Sequence, residues 1–171
     1  MLKLSLIDQI ITEIDHGLRS IFTLPSSSRA SPACEVAEAS LSSQQQKNIA
    51  ALMRINHTGE VCAQGLYRGQ MQFAQNAATY TMLAQSCTEE TDHLAWTYQR
   101  LDELNDRPSY LNPFWYTASF IIGALTARIS DGYSLGFVEE TERQVGEHLS
   151  RHLERLPLED LKTRMIIEKM E

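Results

Sequence analysis

The chain has 171 residues, 43% of them hydrophobic, which suffices for one domain around one core and is too little for a multidomain enzyme. Twenty leucines and 15 alanines against four valines and five prolines favour helices over strands, so an all-α fold is expected. A formal net charge of −7 excludes a protein that tracks phosphates, so no nucleic acid is expected as partner; Cys34, Cys62 and Cys87 form no CxxC pair, which excludes a zinc ribbon and points to reduced thiols in a cytosolic setting.

In chain order, Asp8, Glu13 and Asp15 interrupt the apolar start that follows Lys3, so no secretory signal is expected. Leu6, Ile10, Ile14, Leu18 and Ile21 recur at helical spacing and predict an amphipathic helix within residues 1–24. Such a stripe lies either on a membrane surface or on the protein body, and docking on the body is the commoner case. Residues 25–40 open with PSSSRASPA, a Ser/Pro-rich stretch that predicts a flexible linker, and the folded domain is expected over 41–171. There a long helix follows Ser43 to about Asn76 and a second runs from Thr79 to about Leu104, before the hydrophilic turn at 105–108.

From Pro108 to Ala127 no residue is charged, yet Pro108, Asn112 and Pro113 leave only Phe114 to Leu125 strongly apolar. That is too short to span a bilayer, so the segment is either a buried helix or one that dips into the interfacial layer. A helix from Leu135 to Leu156, stopped by Pro157, and the run LEDLKTRMIIEKME complete the chain. Two long helices, a crossover through a shorter one and two more helices predict a four-helix bundle with one non-hairpin connection.

Three of these helices carry an acidic residue on an apolar face. Glu60 shares its face with Met53, Ala63, Tyr67, Met71 and Ala74. Glu90 and His93, three apart, share theirs with Leu83, Thr97 and Leu101, and Glu142 interrupts the stripe of Leu135, Val138, Val145, Leu149 and Leu156. A buried ionised carboxylate needs a cation or a hydrogen-bond network. A single Glu-x-x-His in a helix is common, but Glu, Glu-x-x-His and Glu from successive helices make up most of the dinuclear carboxylate plan of ferritin-like bundles. Carboxylate oxygen with imidazole nitrogen suits iron or manganese better than zinc. Spacing alone leaves two readings open, a metal centre or a structural network of buried polar residues.

Around these residues, His57 sits one turn from Glu60 and either hydrogen-bonds it or packs as an ordinary histidine. Tyr67 either bonds a carboxylate or flanks a substrate, though a core tyrosine with one satisfied hydroxyl is commoner. Glu89, Glu139 and Glu140 read as solvated charges, Cys62 and Cys87 as small core residues, and Arg151, His152, Glu154 and Arg155 as an exposed helix face.

The segments RINHTGEVCAQGLYRGQ around Glu60, EETDHLAWTYQRLDEL around Glu90 and His93, the RPSYLNPFWY connection and SLGFVEETERQVGEHL around Glu142 resemble the ferritin-like diiron monooxygenase family of ubiquinone biosynthesis, the demethoxyubiquinone hydroxylases (2-polyprenyl-3-methyl-6-methoxy-1,4-benzoquinone monooxygenases). The resemblance runs from about Leu41 to the C-terminus. It implies that Glu60, Glu90, His93 and Glu142 are metal ligands for iron, two per chain in the complete pattern, with no catalytic residue beyond the ligands. It further implies that His148 lies close to the metals; His57 and Tyr67 stay candidates beside the ligands on their helix position alone. The implied activity is hydroxylation of a polyprenylated methoxy-benzoquinone ring by dioxygen. The implied setting is the cytoplasmic side of the cell membrane, bound peripherally, with a ubiquinone-biosynthesis complex or a homo-oligomer as further partners. The family's last helix carries a second Glu-x-x-His, which is expected just past Glu171, so the C-terminal ligand helix is expected to be truncated here. The rival readings are a ferritin-like iron-binding or peroxide-consuming protein, which has no use for the uncharged Pro108 to Ala127 stretch, and a metal-free helical binding protein.

Overall fold

The computed structural model describes residues 5–23 and 25–171; Lys3, Leu24 and the side chain of Leu6 lie outside the described residues. These residues form six helices and no strand: α1 (Leu6–Phe22), α2 (Ser43–Met71), α3 (Ala77–Glu103), α4 (Asn112–Ile129), α5 (Asp131–Arg155) and α6 (Leu161–Met170). The all-α bundle expected from composition is what the chain adopts.

Each start has a local cause. Ser5 with Asp8, and Ser42 with Gln45, close reciprocal capping boxes on α1 and α2. Asn76, Ser130 and Asp160 each accept a backbone N–H at the starts of α3, α5 and α6, whereas α4 relies on Pro113 in its first turn. The long second helix stops at Met71, earlier than the apolar pattern suggests. There the backbone turns, and the Asp131 carboxylate accepts the N–H groups of Gln75 (2.8 Å) and Asn76 (3.1 Å), pinning the α2–α3 connection to the foot of α5.

Helix α2 is the centre of the molecule, packed between α3 and α4. At one end Ile49, Leu52 and Met53 meet Trp96 and Leu101 of α3, Leu149 of α5 and Ile166 and Ile167 of α6. At the other end Leu66, Tyr67 and Met71 pack on Leu83 and Cys87. The α2–α4 contact is closer than side chains ordinarily allow. A Cβ on Gly69 would lie 2.1 Å from the Phe120 carbonyl oxygen, one on Gly123 2.1 Å from that of Leu66, and one on Gly65 2.5 Å from that of Tyr116. Three glycines therefore let two helix backbones touch, which brings α4 down onto the stretch of α2 that follows Glu60.

Helix α1 departs from the expectation that its apolar stripe docks on the body. It is held by its edge: Arg68 of α2 makes a two-pronged ion pair with Glu13 (2.8 Å each), and Gly17 lies under the Tyr116 ring. Ile10, Ile14 and Leu18 stay more than half exposed. Together with Tyr116 and Phe120 of α4 they line an apolar groove of about 690 Å³. Helix α4 has a packed face of Tyr116, Gly123, Thr126 and Ala127, and an open one carrying Phe114, Trp115, Ile121, Ile122, Leu125 and Ile129. No helix among the described residues is long and apolar enough to cross a membrane.

Residues 25–40 make directed contacts. Asp92 of α3 binds the Ser27–Arg29 turn, Ala33 is buried in the core, and Glu38 pairs with Arg100. Arg100 is fully buried; it also reaches Glu103, Asp160 and Thr163, so one guanidinium ties this segment, α3 and the start of α6 together. His152 corrects another expectation: Arg151, Glu154 and Arg155 are exposed, but His152 is 2% exposed, and its Nδ1 lies 2.7 Å from the Asn56 Oδ1 on α2.

Two measurements check this packing. Gly69→Ala and Gly123→Ala each force a methyl onto a carbonyl and should cost about 2–3 kcal/mol or more in urea unfolding. Gly146→Ala, with open space around its Cβ, should gain up to about 1 kcal/mol from helix propensity alone. Burial, followed by the charges of His148, Arg155 and Arg151, holds the His152 imidazole down at about 4 against an ordinary 6.5. The unfolded chain thus binds a proton that the folded chain refuses. Stability is fully present above about pH 6.5 and falls as pH drops toward 4. His152→Leu should flatten that part of the stability profile by up to one proton relative to the unsubstituted chain.

Candidate metal centre

The site forms where α2 and α3 lie side by side between the two apolar clusters. Glu60 is a mid-helix residue of α2, 6% exposed, with Val61 fully buried beside it. Glu90 and His93 come from the facing stretch of α3, and ligand atoms of all three lie within 4.8 Å of one another. The His93 Nδ1 is 3.1 Å from the Glu90 Oε2 and 3.7 Å from the Glu60 Oε2, so one imidazole nitrogen faces two carboxylates. Gln64, one turn beyond Glu60, donates to the Cys87 carbonyl (2.7 Å) and the Thr91 hydroxyl (2.9 Å), which fixes the register of α2 on α3 one turn from the site.

The electrostatics are those of negative charge packed out of water. Burial, and then the charge of Glu90, push the Glu60 carboxyl well above the usual range. On Glu90 burial acts upward too, but hydrogen bonding with Glu60 and His93 prevails and its carboxyl is lowered. Burial would lower the His93 imidazole, yet its bonds to Glu60 and Glu90 win and lift it to about 10.

These groups open onto a cavity of about 250 Å³ between α2, α4 and α5, walled by Ala63, Leu66, Ile122, Phe137 and Val145. Glu142 lines the same cavity from α5 at its exposed rim, outside the tight Glu60–Glu90–His93 group. The Tyr67 hydroxyl, buried on the Glu60 face of α2, donates to the Glu142 carboxylate and aims it across the cavity. Burial raises the Glu142 carboxyl, and burial with the Glu142 bond raises the Tyr67 phenol, so that hydroxyl keeps its proton and stays a donor.

His57 is 2% exposed, its Nδ1 has no hydrogen-bond partner among the described residues, and its ring leans on Tyr98 at 6.1 Å. His148 stacks on His152 with ring centroids 4.0 Å apart. Glu89, Glu139 and Glu140 are exposed. Cys87 is buried, its thiol pushed up to about 12 by burial, and Cys62 lines the cavity with its thiol also raised, so neither is an activated nucleophile. Sequence reasoning missed Asp92, next to His93 in the chain, and Trp96, which packs near it. Trp96 places its ring 5.3 Å from the His93 imidazole.

If the cluster is built for a cation, removing one carboxylate should stabilise the empty site and weaken the loaded one. Glu60→Gln is expected to raise metal-free stability by about 1 kcal/mol in urea unfolding. The same variant should lose iron binding in equilibrium dialysis. Tyr67→Phe should leave the fold intact and bind iron more weakly than the unsubstituted chain, by up to about tenfold.

Comparison with known proteins agrees with this geometry. A family model described as ubiquinone biosynthesis protein COQ7 matches residues 47–171. The 3-demethoxyubiquinol 3-hydroxylase of Polynucleobacter asymbioticus is 52% identical over 168 residues, covering 98% of this chain and 80% of its own. The protein of that name from Chromobacterium violaceum is 48% identical over 165 residues, 96% of this chain and 80% of its own. That of Francisella tularensis subsp. novicida is 49% identical over 170 residues, 99% of this chain and 81% of its own. The matched span includes Glu60, Glu90, His93, Glu142 and the whole of α4, and the chain belongs to the COQ7 family of ubiquinone biosynthesis proteins.

Proposed function

We propose that this chain is an iron-dependent monooxygenase that hydroxylates the ring of a polyprenylated methoxy-benzoquinol in ubiquinone biosynthesis. The observation that carries the reading is the Glu60–Glu90–His93 cluster at the inner wall of a largely apolar cavity. The relatives' shared name supports the substrate class and puts the ring in its reduced, quinol form.

The donor set fits iron: two carboxylates and an imidazole converge in a buried place, a third carboxylate stands across the cavity, and no thiolate is among them. Glu60, Glu90, His93 and Glu142 would hold the metal. When bound, iron supplies the one-electron and dioxygen chemistry that ring hydroxylation needs. The chain's own part is threefold. Its carboxylates, in their deprotonated form, would ligate the cation. The Tyr67 hydroxyl keeps Glu142 turned inward. The apolar wall of Leu66, Ile122, Phe137 and Val145 takes the ring and keeps bulk water from the reacting atoms.

The groove between α1 and α4 offers the apolar surface that an isoprenoid tail or a lipid surface needs, and supports peripheral attachment to a membrane. The exposed face of α4, with Phe114 and Trp115 at one end and Ile129 at the other, extends that surface.

Iron-loaded protein, given a short-chain demethoxyubiquinol, a chemical reductant and 18O2, should form a ring-hydroxylated product carrying one labelled oxygen by mass spectrometry. Iron uptake with no quinol turnover would overturn the reading in favour of a ferritin-like iron-binding or peroxide-consuming protein. Carbonate or high salt should strip the protein from membranes; retention until detergent is added would overturn peripheral attachment.

A further inference from the structure

Asp92 is 2% exposed and lies beside His93 on α3, yet none of its bonds enters the cavity. Its Oδ1 accepts from the Ser27 hydroxyl (2.8 Å) and from the backbone N–H groups of Ser28 (2.6 Å) and Arg29 (3.4 Å). Its Oδ2 accepts from the Arg29 Nε (2.5 Å), and the Ser28 hydroxyl reaches both oxygens at 3.1 Å. The same turn grips the next turn of α3: the Arg29 carbonyl accepts the Trp96 indole N–H at 3.2 Å, and the Arg29 guanidinium lies 5.2 Å from the centre of the Trp96 ring. Trp96 is 2% exposed and leans on the His93 imidazole at 5.3 Å with 46° between the rings. A helix needs none of these bonds to form, and burying a carboxylate costs several kcal/mol unless its partners repay it. The chain gathers all of them behind one histidine.

We infer that Asp92 is a positioning residue for His93: by drawing the Ser27–Arg29 turn onto α3 it seats Trp96 against the imidazole and restricts the ring to the orientation in which it faces Glu60 and Glu90. The inference rests on the reading of His93 as a metal ligand. An imidazole free to turn about its side-chain bonds loses that aim, and groups that hold a ligand's orientation typically set metal affinity by tenfold or more. Arg29 acts twice, as the partner of Asp92 and as the lid on Trp96.

The test uses the full chain, with Co(II) as the metal probe, because its visible bands report the geometry of the donors, and proton NMR of the metal-free protein for the His93 ring signals. Asp92→Ala and Arg29→Ala are compared with the unsubstituted chain; the Arg29 side chain is 45% exposed, so its removal does not hollow the core should Asp92→Ala fail to fold. Both folded variants should bind Co(II) about tenfold more weakly, with shifted bands, and should lose the ring-current displacement that Trp96 imposes on the His93 signals. Arg29→Lys, which keeps a cation for Asp92, should recover most of the affinity. If His93→Ala abolishes Co(II) binding while the folded Asp92→Ala and Arg29→Ala variants keep normal affinity, bands and His93 signals, the positioning role is wrong and the ligand reading stands. If His93→Ala binds Co(II) normally, the ligand reading fails and takes the positioning role with it.

Discussion

The arrangement turns on two carboxylates sharing one imidazole inside the bundle. Glu60 and Glu90 are taken out of water close enough to repel, and the His93 imidazole faces both of them within the tight group. Such a cluster does not persist unless the helices that carry it are held harder than the cluster pushes them apart. The apolar contacts on either side supply that hold, with Met53 and Leu101 on one side and Leu66, Tyr67 and Leu83 on the other. The polar crosslink from Gln64 to α3 and the Arg100 junction secure the register. Stability is spent at the centre, where a cation would relieve the repulsion between the two carboxylates.

Much of this was legible in the sequence, and the reason is periodicity. Glu60, Glu90 and His93 interrupt apolar stripes at three- and four-residue steps, and a charge on such a stripe has to be inside. The same reasoning put Glu142 inside, yet it is exposed and outside the tight group, because its helix is more open: Val145 on its stripe remains over a third exposed. What stayed hidden has no period. Asp92 is adjacent in sequence to His93 but serves a turn more than 60 residues earlier, and nothing in a Ser/Pro-rich stretch announces that its serines and arginine have a partner. Arg100 gives no sequence signal of its burial, because its carboxylate partners come from three separate places in the chain.

Two signals were present and were passed over. His152 falls between Leu149 and Leu156 at steps of three and four, which places it on the buried face, but its charged neighbours Arg151 and Arg155 suggested solvent. Gly65 and Gly69 sit four apart in AQGLYRGQ, the spacing that lines up small residues on one side of a helix. That side is where α4 arrives, and Gly123 meets it from the other helix. Glycine in a helix interior costs about 1 kcal/mol of propensity, so a pair of them in register needs a packing reason.

That contact explains why a segment as apolar as α4 does not need to cross a bilayer. Its small residues, with Gly123, Thr126 and Ala127, face α2, where the backbones touch; its large ones, Phe114, Ile121, Leu125 and Ile129, face outward. Up to Arg128 in its last turn neither face carries a charge, one because it is too close and the other because it is apolar along its length, so the helix reads as a hydrophobic run to that point. The division has a consequence for the proposed reaction. Ser119 and Ile122 of α4 wall the cavity that holds Glu60, while Tyr116, Thr117 and Phe120 line the groove against α1. One helix thereby borders both the proposed metal centre and the proposed lipid-facing surface, and a substrate with a polar ring and a long apolar tail is a molecule that has use for both.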